Sequence, residues 1–236
     1  NRLKKKALIP YITAGDPSPD LTVNLMHALV ESGADIIELG VPFSDPIADG
    51  PIIQRASERA LNRGVNLETC LHFVNDFRVS NKVTPIVLMG YMNPIEQFGW
   101  DHFADKAAQV GVDGVLVVDC PPEESKIFFD KLKAQNIDCI HLVAPTTSEE
   151  RLQKILGEAS GYIYYVSLRG VTGSDKLNPV DVSQKINFVK KHTKLPVAVG
   201  FGISSRKSVS DIAKTDADGV VIGSALIRAM EEAGLE

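Results

Sequence analysis

The sequence has little cysteine, no long apolar run and no excess of basic charge, and each shortage excludes a class of protein. Only 3 of the 236 residues are cysteine, and their spacing fits neither a disulfide framework nor a metal site. No apolar run approaches the roughly 20 residues of a membrane span. The formal net charge is −5, without the basic patch that nucleic-acid-binding proteins present. We therefore expect a cytoplasmic protein with unpaired thiols that binds neither nucleic acid nor membrane.

What the sequence does contain is a regular alternation of short apolar runs with helix-like stretches. Runs rich in Val and Ile predict parallel strands covered on both faces, at 7–12, 35–39, 85–89, 114–118, 138–143, 161–166, 196–199 and 218–222. Helices are predicted at 18–31, 51–62, 67–79, 101–109, 122–135, 148–157, 181–191, 204–214 and 224–233. This rhythm predicts an α/β fold, a single-domain (β/α)8 TIM barrel with extra helices over 1–236. A doubly wound open sheet is the alternative.

Two acidic residues stand at and after the end of the second predicted strand. Glu38 closes the apolar run, where a carboxylate is costly to bury unless it is paired, hydrated or protonated. Asp49 lies in the following loop, which Pro and Gly punctuate. The carboxyl ends of barrel strands form the active site, so a buried acid and a loop acid there suit general acid–base chemistry. A solvated turn beside a strand-end Glu is the alternative interpretation.

Glycine-rich turns follow the last two predicted strands. Gly200-Phe201-Gly202 precedes one predicted helix, and Gly223-Ser224 opens another. Glycine lets backbone N–H groups approach an anion closely, and helix N-termini favour negative charge. The loops after strands seven and eight bind phosphate in many barrels, so the sequence predicts a phosphorylated small-molecule substrate. Each turn taken alone could equally be an ordinary helix cap.

One long motif carries a specific resemblance to a known family. Residues 38–51, ELGVPFSDPIADGP, resemble the signature of the tryptophan synthase alpha subunit family. The resemblance extends over nearly the whole chain and includes 10–17, 118–124, 170–173 and 200–204. It implies a lyase of tryptophan biosynthesis that cleaves indole-3-glycerol phosphate to indole and glyceraldehyde 3-phosphate in a retro-aldol reaction.

The same resemblance implies roles for individual residues. Glu38 is expected to move protons at indole C3 and at the glycerol hydroxyl, and Asp49 to hydrogen-bond the indole N–H. Tyr164 is expected to help position Glu38 or the substrate. The residues expected to wall the indole pocket are Tyr11, Met89, Leu116 and Phe201. The residues expected to hold the phosphate are Gly173, Gly202, Gly223 and Ser224.

A partner is also implied, the tryptophan synthase beta subunit, in an α2β2 complex. Asp45 and Pro46 are expected to lie near that contact. Pyridoxal phosphate is expected on the partner, with no cofactor on this chain, and no metal site is expected. Family members usually extend further at both ends, so we expect 1–236 to lack some terminal residues. Several members carry Arg at the position of Leu168, whereas here Arg169 follows it, which leaves open which residue orders this loop.

Two other functions stay open at this point. Another phosphate-binding barrel enzyme, such as indole-glycerol phosphate synthase or phosphoribosylanthranilate isomerase, would need a strand-end Lys or a Cys paired with an Asp. No Lys stands at a predicted strand end, and Cys120 is the only cysteine close to one. A non-catalytic activator of the beta subunit is the third hypothesis, but such a binding module has no need for a buried acid such as Glu38.

Overall fold

The computed structural model describes residues 5–167, 179–200 and 206–234, in which eight parallel strands close into a barrel. The strands are β1 Ala7–Thr13, β2 Ile37–Gly40, β3 Ile86–Gly90, β4 Gly114–Val117, β5 Asp138–Val143, β6 Ile163–Val166, β7 Val197–Gly200 and β8 Gly219–Ile222. Each strand pairs with the next, and β8 pairs with β1. This closure confirms the predicted TIM barrel and excludes the open sheet.

Helices surround the barrel in the order expected from the sequence. They are α1 Pro19–Glu31, α2 Pro51–Asn62, α3 Leu67–Ser80, α4 Met92–Phe98, α5 Trp100–Val110, α6 Pro122–Ala134, α7 Glu149–Glu158, α8 Pro179–His192, α9 Arg206–Ala213 and α10 Ser224–Glu232. In the part of the chain that the structure describes, none of these helices has the length and apolarity to cross a membrane.

Among the described residues, helix α4 is the one element that the sequence pattern did not predict. It spans only seven residues, too few to display a helical periodicity. Its first backbone N–H, at Met92, donates to Asp119 Oδ1 at 2.8 Å from the loop after β4. A side chain distant in sequence therefore satisfies a donor at the start of this helix, which local patterns do not reveal.

Side chains alternate along each strand between the barrel interior and the surrounding helices. On β2, the side chains of Ile37 and Leu39 pack in the layer between the strands and the helices. The interior cluster consists mainly of residues from the other face of the strands, among them Ile9, Tyr11, Val87, Leu116, Ile140, Tyr162, Tyr164, Ala198 and Val221. Because both faces of a parallel strand are covered, the strands read as continuous apolar runs.

Aspartate side chains tie neighbouring strands together at their amino ends. Asp35 accepts from the backbone N–H of Leu8, and Asp113 accepts from that of Ile86, each at 2.8 Å. These bonds satisfy donors at the start of β1 and β3 that the ladder leaves unpaired. A cavity of about 740 Å³ opens at this end of the barrel, and Tyr162 is among the residues that line it. The acids predicted to be catalytic are not part of that lining.

Candidate active site

Glu38 is fully buried on β2, and its neighbours on the strand, Ile37 and Leu39, point the opposite way. Burial raises the pKa of its carboxyl to about 7, although a hydrogen bond from Tyr162 acts in the opposite direction. The Tyr162 hydroxyl donates to Glu38 Oε1 at 2.9 Å. Glu38 Oε2 has no hydrogen-bond partner among the described residues. This pKa leaves the group able to give and take protons near neutral pH.

Asp49 lies in the loop that joins β2 to α2, and a tyrosine from the end of β3 holds it. The Tyr91 hydroxyl donates to Asp49 Oδ2 at 3.0 Å and accepts from the backbone N–H of Ala48 at 3.0 Å. Burial raises the pKa of Asp49, and the hydrogen bond from Tyr91 partly opposes the shift. One phenol therefore fixes both the backbone and the carboxylate of this loop segment.

Two buried tyrosine hydroxyls lie within electrostatic range of both acids. The pKa of Tyr164 is raised by burial and then by the charges of Glu38, Tyr11 and Asp49. The pKa of Tyr11 is likewise raised by burial, and Asp49 and Glu38 add to the effect. Both carboxylates therefore act electrostatically on the same two hydroxyls.

Two glycines make room for these tyrosines. A Cβ atom added to Gly40 would collide with the hydroxyl of Tyr11, and one added to Gly200 would collide with that of Tyr164. Each glycine ends its strand, on β2 and β7 respectively. The absence of side chains at these strand ends is therefore a requirement of interior packing.

The predicted pocket walls lie on neighbouring strands. Tyr11 on β1 is paired with Glu38 on β2, and Met89 on β3 is paired with Gly40 on β2 and Leu116 on β4. Tyr11 and Leu116 are buried in the interior cluster, and Met89 packs against it. Phe201, the fourth predicted wall residue, lies outside the described residues. Two of the four predicted side chains, Tyr11 and Met89, therefore lie on the strands that flank Glu38, and Leu116 lies one strand further along.

Half of the predicted phosphate site lies in the described part of the chain. Gly223 precedes α10 and Ser224 is the first residue of that helix. A Cβ added to Gly223 would lie 3.2 Å from Tyr11 Cδ1, so the turn after β8 closely approaches a predicted wall of the pocket. Gly173 and Gly202, together with the loop residues Leu168 and Arg169, lie outside the described residues.

The predicted partner contact lies on the same loop as Asp49. Asp45 is exposed and Pro46 is half-buried. The next residue, Ile47, is 86% exposed, which is unusual for a large apolar side chain. Exposed apolar surface of this kind is common at sites that another protein covers.

Two tyrosines that hold the acids, Tyr162 and Tyr91, were assigned no role from the sequence. A period of two does place Tyr162 and Tyr164 on one face, so the sequence contains a signal that either could approach an interior acid. In the described structure Tyr162 makes the hydrogen bond to Glu38 and Tyr164 does not. The role of Tyr164 thus stays a prediction.

Candidate metal ligands are not clustered in the described part of the chain. No group of three or more His, Cys, Asp or Glu side chains there is placed to hold a metal ion. The residues described at the mouth are carboxylates, phenols, apolar walls and a helix N-terminus. Chemically, this set can transfer protons, hold an aromatic ring and bind an anion.

Comparisons with known proteins give one consistent result. A profile of the family described as "Tryptophan synthase alpha chain" matches residues 1–236. Relatives with the same description include that of Polynucleobacter necessarius subsp. necessarius, which is 57% identical over 229 residues, covering 97% of this chain and 86% of the relative. That of Ralstonia nicotianae is 56% identical over 232 residues, covering 98% of this chain and 87% of the relative.

Solved structures agree with these sequence matches. Tryptophan synthase subunit alpha from Legionella pneumophila superimposes with a TM-score of 0.91 at 47% identity, covering 98% of this chain and 85% of that structure. A chain from the tryptophan synthase α2β2 complex of Pyrococcus furiosus superimposes with a TM-score of 0.86 at 42% identity, covering 98% and 92% respectively.

Proposed function

The chain belongs to the tryptophan synthase alpha chain family, the lyases that cleave indole-3-glycerol phosphate, and we propose that Glu38 and Asp49 are the acids of that reaction here. The observation that carries this proposal is the fully buried carboxyl of Glu38 inside the barrel, whose pKa burial raises to about 7. Buried acids that titrate near neutral pH are characteristic of catalytic sites.

The cleavage requires two proton movements at the bond that breaks. Indole C3 must gain a proton, which turns the ring into a leaving group. The glycerol hydroxyl must lose a proton as the bond between C3 and the glycerol carbon breaks and the aldehyde forms. One carboxyl can supply the first proton and take up the second, so it returns to its starting state. Such a group works best when its pKa is close to the operating pH.

Glu38 suits this double role because only one of its oxygens is engaged. Oε1 accepts from Tyr162, and Oε2 is without a hydrogen-bond partner in the described residues. We assign Oε2 to the substrate. Tyr164, which lies in electrostatic range of Glu38, is proposed to help position the acid or the substrate.

Asp49 suits the indole nitrogen. Positive charge develops on that nitrogen when C3 is protonated, and a nearby carboxylate stabilises it. Tyr91 holds Asp49 through Oδ2. In this proposal the Asp49 carboxylate accepts a hydrogen bond from the indole N–H while Glu38 acts at C3.

The rest of the substrate is proposed to bind between apolar walls and a helix N-terminus. Tyr11 on β1 and Met89 on β3 flank the strand of Glu38, and Leu116 on β4 is paired with Met89. These three side chains would hold the indole ring, together with Phe201. The N-terminus of α10 at Gly223 and Ser224 supports a phosphate site, because its free N–H groups favour an anion. Gly173 and Gly202 are proposed to complete that site.

A beta subunit is the proposed partner, in an α2β2 complex like that of the Pyrococcus furiosus protein. The exposed loop of Asp45, Pro46 and Ile47 supports this proposal, since Ile47 would be covered by the partner. Pyridoxal phosphate is proposed to belong to the partner, with none on this chain. A cytoplasmic location is proposed because Cys70, Cys120 and Cys139 are all free thiols.

The experiment that tests the proposal measures glyceraldehyde 3-phosphate released from indole-3-glycerol phosphate, with and without a beta subunit. We expect slow release by the purified chain, a sharp rise with the partner, and a loss of at least about a thousandfold in Glu38→Gln. Glu31→Gln, at an exposed position on α1, is the matched control and should retain full activity.

The same variants separate the lyase from a non-catalytic activator. Glu38→Gln should still activate the beta subunit, because the exposed loop at Asp45 and Pro46 is unchanged. Equal release of glyceraldehyde 3-phosphate by Glu38→Gln and the unmodified chain would remove Glu38 from the mechanism.

A further inference from the structure

We propose that Tyr162 is a positioning residue that holds the Glu38 carboxylate in the geometry from which it exchanges protons with the substrate. This inference rests on the role proposed for Glu38. It concerns a tyrosine that no sequence motif singled out, and it separates the functions of two tyrosines that share one face of the barrel. Tyr162 itself is not proposed to touch the substrate.

The contact crosses the barrel. Tyr162 immediately precedes β6, and Glu38 lies on β2. These strands are four apart in a closed barrel of eight, so they face each other across its axis. The phenol of Tyr162 spans the interior and donates to Glu38 Oε1 at 2.9 Å. Both side chains are buried, so the bond lies in a region of low dielectric where hydrogen bonds are strong.

The single bond decides which way the carboxylate points. Glu38 has no other hydrogen-bond donor among the described residues, and its Oε2 is buried and unpaired there. Without Tyr162 the carboxylate could rotate freely about its terminal bonds within an apolar interior. Proton transfer requires heavy atoms at about 2.6–3.2 Å, so a carboxylate that samples several orientations transfers protons less often. Fixing Oε1 leaves Oε2 in one defined place.

The hydroxyl of Tyr162 stays protonated and so remains a hydrogen-bond donor. Burial raises its pKa well above the ordinary tyrosine value, and the charge of Glu38 raises it further. The phenol therefore stays protonated across the working pH range and donates whenever Glu38 is ionised. Such a bond stabilises the charged form of Glu38. It therefore lowers the pKa of Glu38, whereas burial raises it.

The other titratable groups that face Glu38 differ from Tyr162. Tyr11 lies opposite Glu38 on β1, and Tyr164 lies two residues after Tyr162 on β6. Both feel the charge of Glu38, but neither hydrogen-bonds it in the described structure. Asp49 acts on the same two hydroxyls from the loop after β2. Removing the Tyr162 hydroxyl should therefore raise the pKa of Glu38, since no other described group replaces the donor.

The test compares Tyr162→Phe with Tyr165→Phe. Both variants keep the aromatic ring, but Tyr165 faces the surrounding helices and lies in a different cluster from Glu38. For Tyr162→Phe we expect kcat to fall about 10- to 100-fold with KM changed less than about threefold. The limb of the pH–rate profile that reports Glu38 should move upward by about half a unit or more. Tyr165→Phe should leave kcat, KM and the profile unchanged.

A second variant keeps the inference testable if Tyr162→Phe fails to fold. Site-specific 3-fluorotyrosine at position 162 keeps the ring and the hydroxyl but makes the phenol a stronger donor, so the Glu38 limb should move downward. Infrared spectra of the protonated carboxyl, identified by its disappearance in Glu38→Gln, report the same pKa without substrate. Opposite shifts for the two Tyr162 variants support positioning by this hydrogen bond.

Two outcomes would overturn the inference. One is a folded Tyr162→Phe with the kcat and pH profile of the unmodified chain. The other is a fall in kcat that accompanies a fall in thermal stability while the Glu38 limb stays in place, which would mark Tyr162 as merely structural. Either result together with an inactive Glu38→Gln leaves the proposed function intact. An active Glu38→Gln would instead contradict the proposed function itself.

Discussion

Tyr162 donates a hydrogen bond to Glu38 across the barrel, although the two residues stand 124 positions apart in the chain. Glu38 belongs to the motif that resembles the family, whereas Tyr162 lies in an ordinary apolar run before β6. Only closure of the barrel makes them neighbours. The acid at the centre of the proposed mechanism therefore depends on a residue supplied by the opposite wall.

The first prediction concerns the cost of burying Glu38. Its pKa in the folded chain, about 7, lies above the ordinary value of 4.5. The stability that this protonated carboxyl contributes is fully present below pH 4.5 and is lost as the pH rises through 7. A shift of this size corresponds to about 3 kcal/mol. We expect Glu38→Gln, which cannot ionise, to raise the free energy of unfolding by about 1–3 kcal/mol at high pH.

Urea denaturation near pH 5 and pH 8 measures this effect. The gain in the free energy of unfolding of Glu38→Gln should be present at pH 8 and small at pH 5. Glu31→Gln should show little change at either pH. A gain of equal size at both pH values would show that it does not come from ionisation of Glu38.

The second prediction concerns Tyr91, the tyrosine that holds the loop of Asp49. Tyr91→Phe removes the donor to Asp49 and the acceptor for Ala48 N–H. We expect kcat/KM for indole-3-glycerol phosphate to fall about 10- to 100-fold, because a hydrogen bond to a charged group contributes about 1.5–3 kcal/mol. Steady-state kinetics measure the loss, and Tyr165→Phe is the control. Unchanged kcat/KM would mean that Asp49 is held by other groups or is not used.

The third prediction concerns a buried ion pair behind the site. Asp16, in the loop after β1, is almost fully buried and receives two bonds from Arg59 of α2, at 2.7 and 2.9 Å. Arg59→Met would leave the Asp16 charge without this partner, so we expect a loss of about 3–5 kcal/mol in the free energy of unfolding. Arg55, whose side chain is 51% exposed, pairs with Glu231, which also accepts a bond from Arg59. Arg55→Met should therefore cost less than about 1 kcal/mol.

Chemical denaturation of the two arginine variants checks the third prediction. Both variants remove a bond to Glu231, so the difference between their losses reports the bonds between Arg59 and Asp16. Similar losses in both, or a negligible loss in Arg59→Met, would show that the Asp16–Arg59 pair does not stabilise this corner of the barrel.

Elements held by interactions between residues close in the chain were predicted from the sequence, whereas contacts between distant residues were not. The strands were predictable because burial on both faces gives continuous apolar runs, and most helices because one face is apolar. Helix α4 was missed because its start depends on Asp119, from the loop after the next strand. The burial of Glu38 was predictable because an acid inside an apolar run is buried in almost any packing of that run, and burial raises its pKa.

By itself, then, the sequence determined the barrel fold and the family. It also determined that a buried acid lies on β2 and that a second acid lies in the loop after it. These properties follow from periodicity and from contiguous motifs, in which the informative residues are close in the chain. The tertiary structure alone decided that Tyr162 and not Tyr164 hydrogen-bonds Glu38, and that Tyr91 holds Asp49. Alternation places both Tyr162 and Tyr164 inside the barrel, but the height and direction of each phenol depend on how eight strands close around the axis.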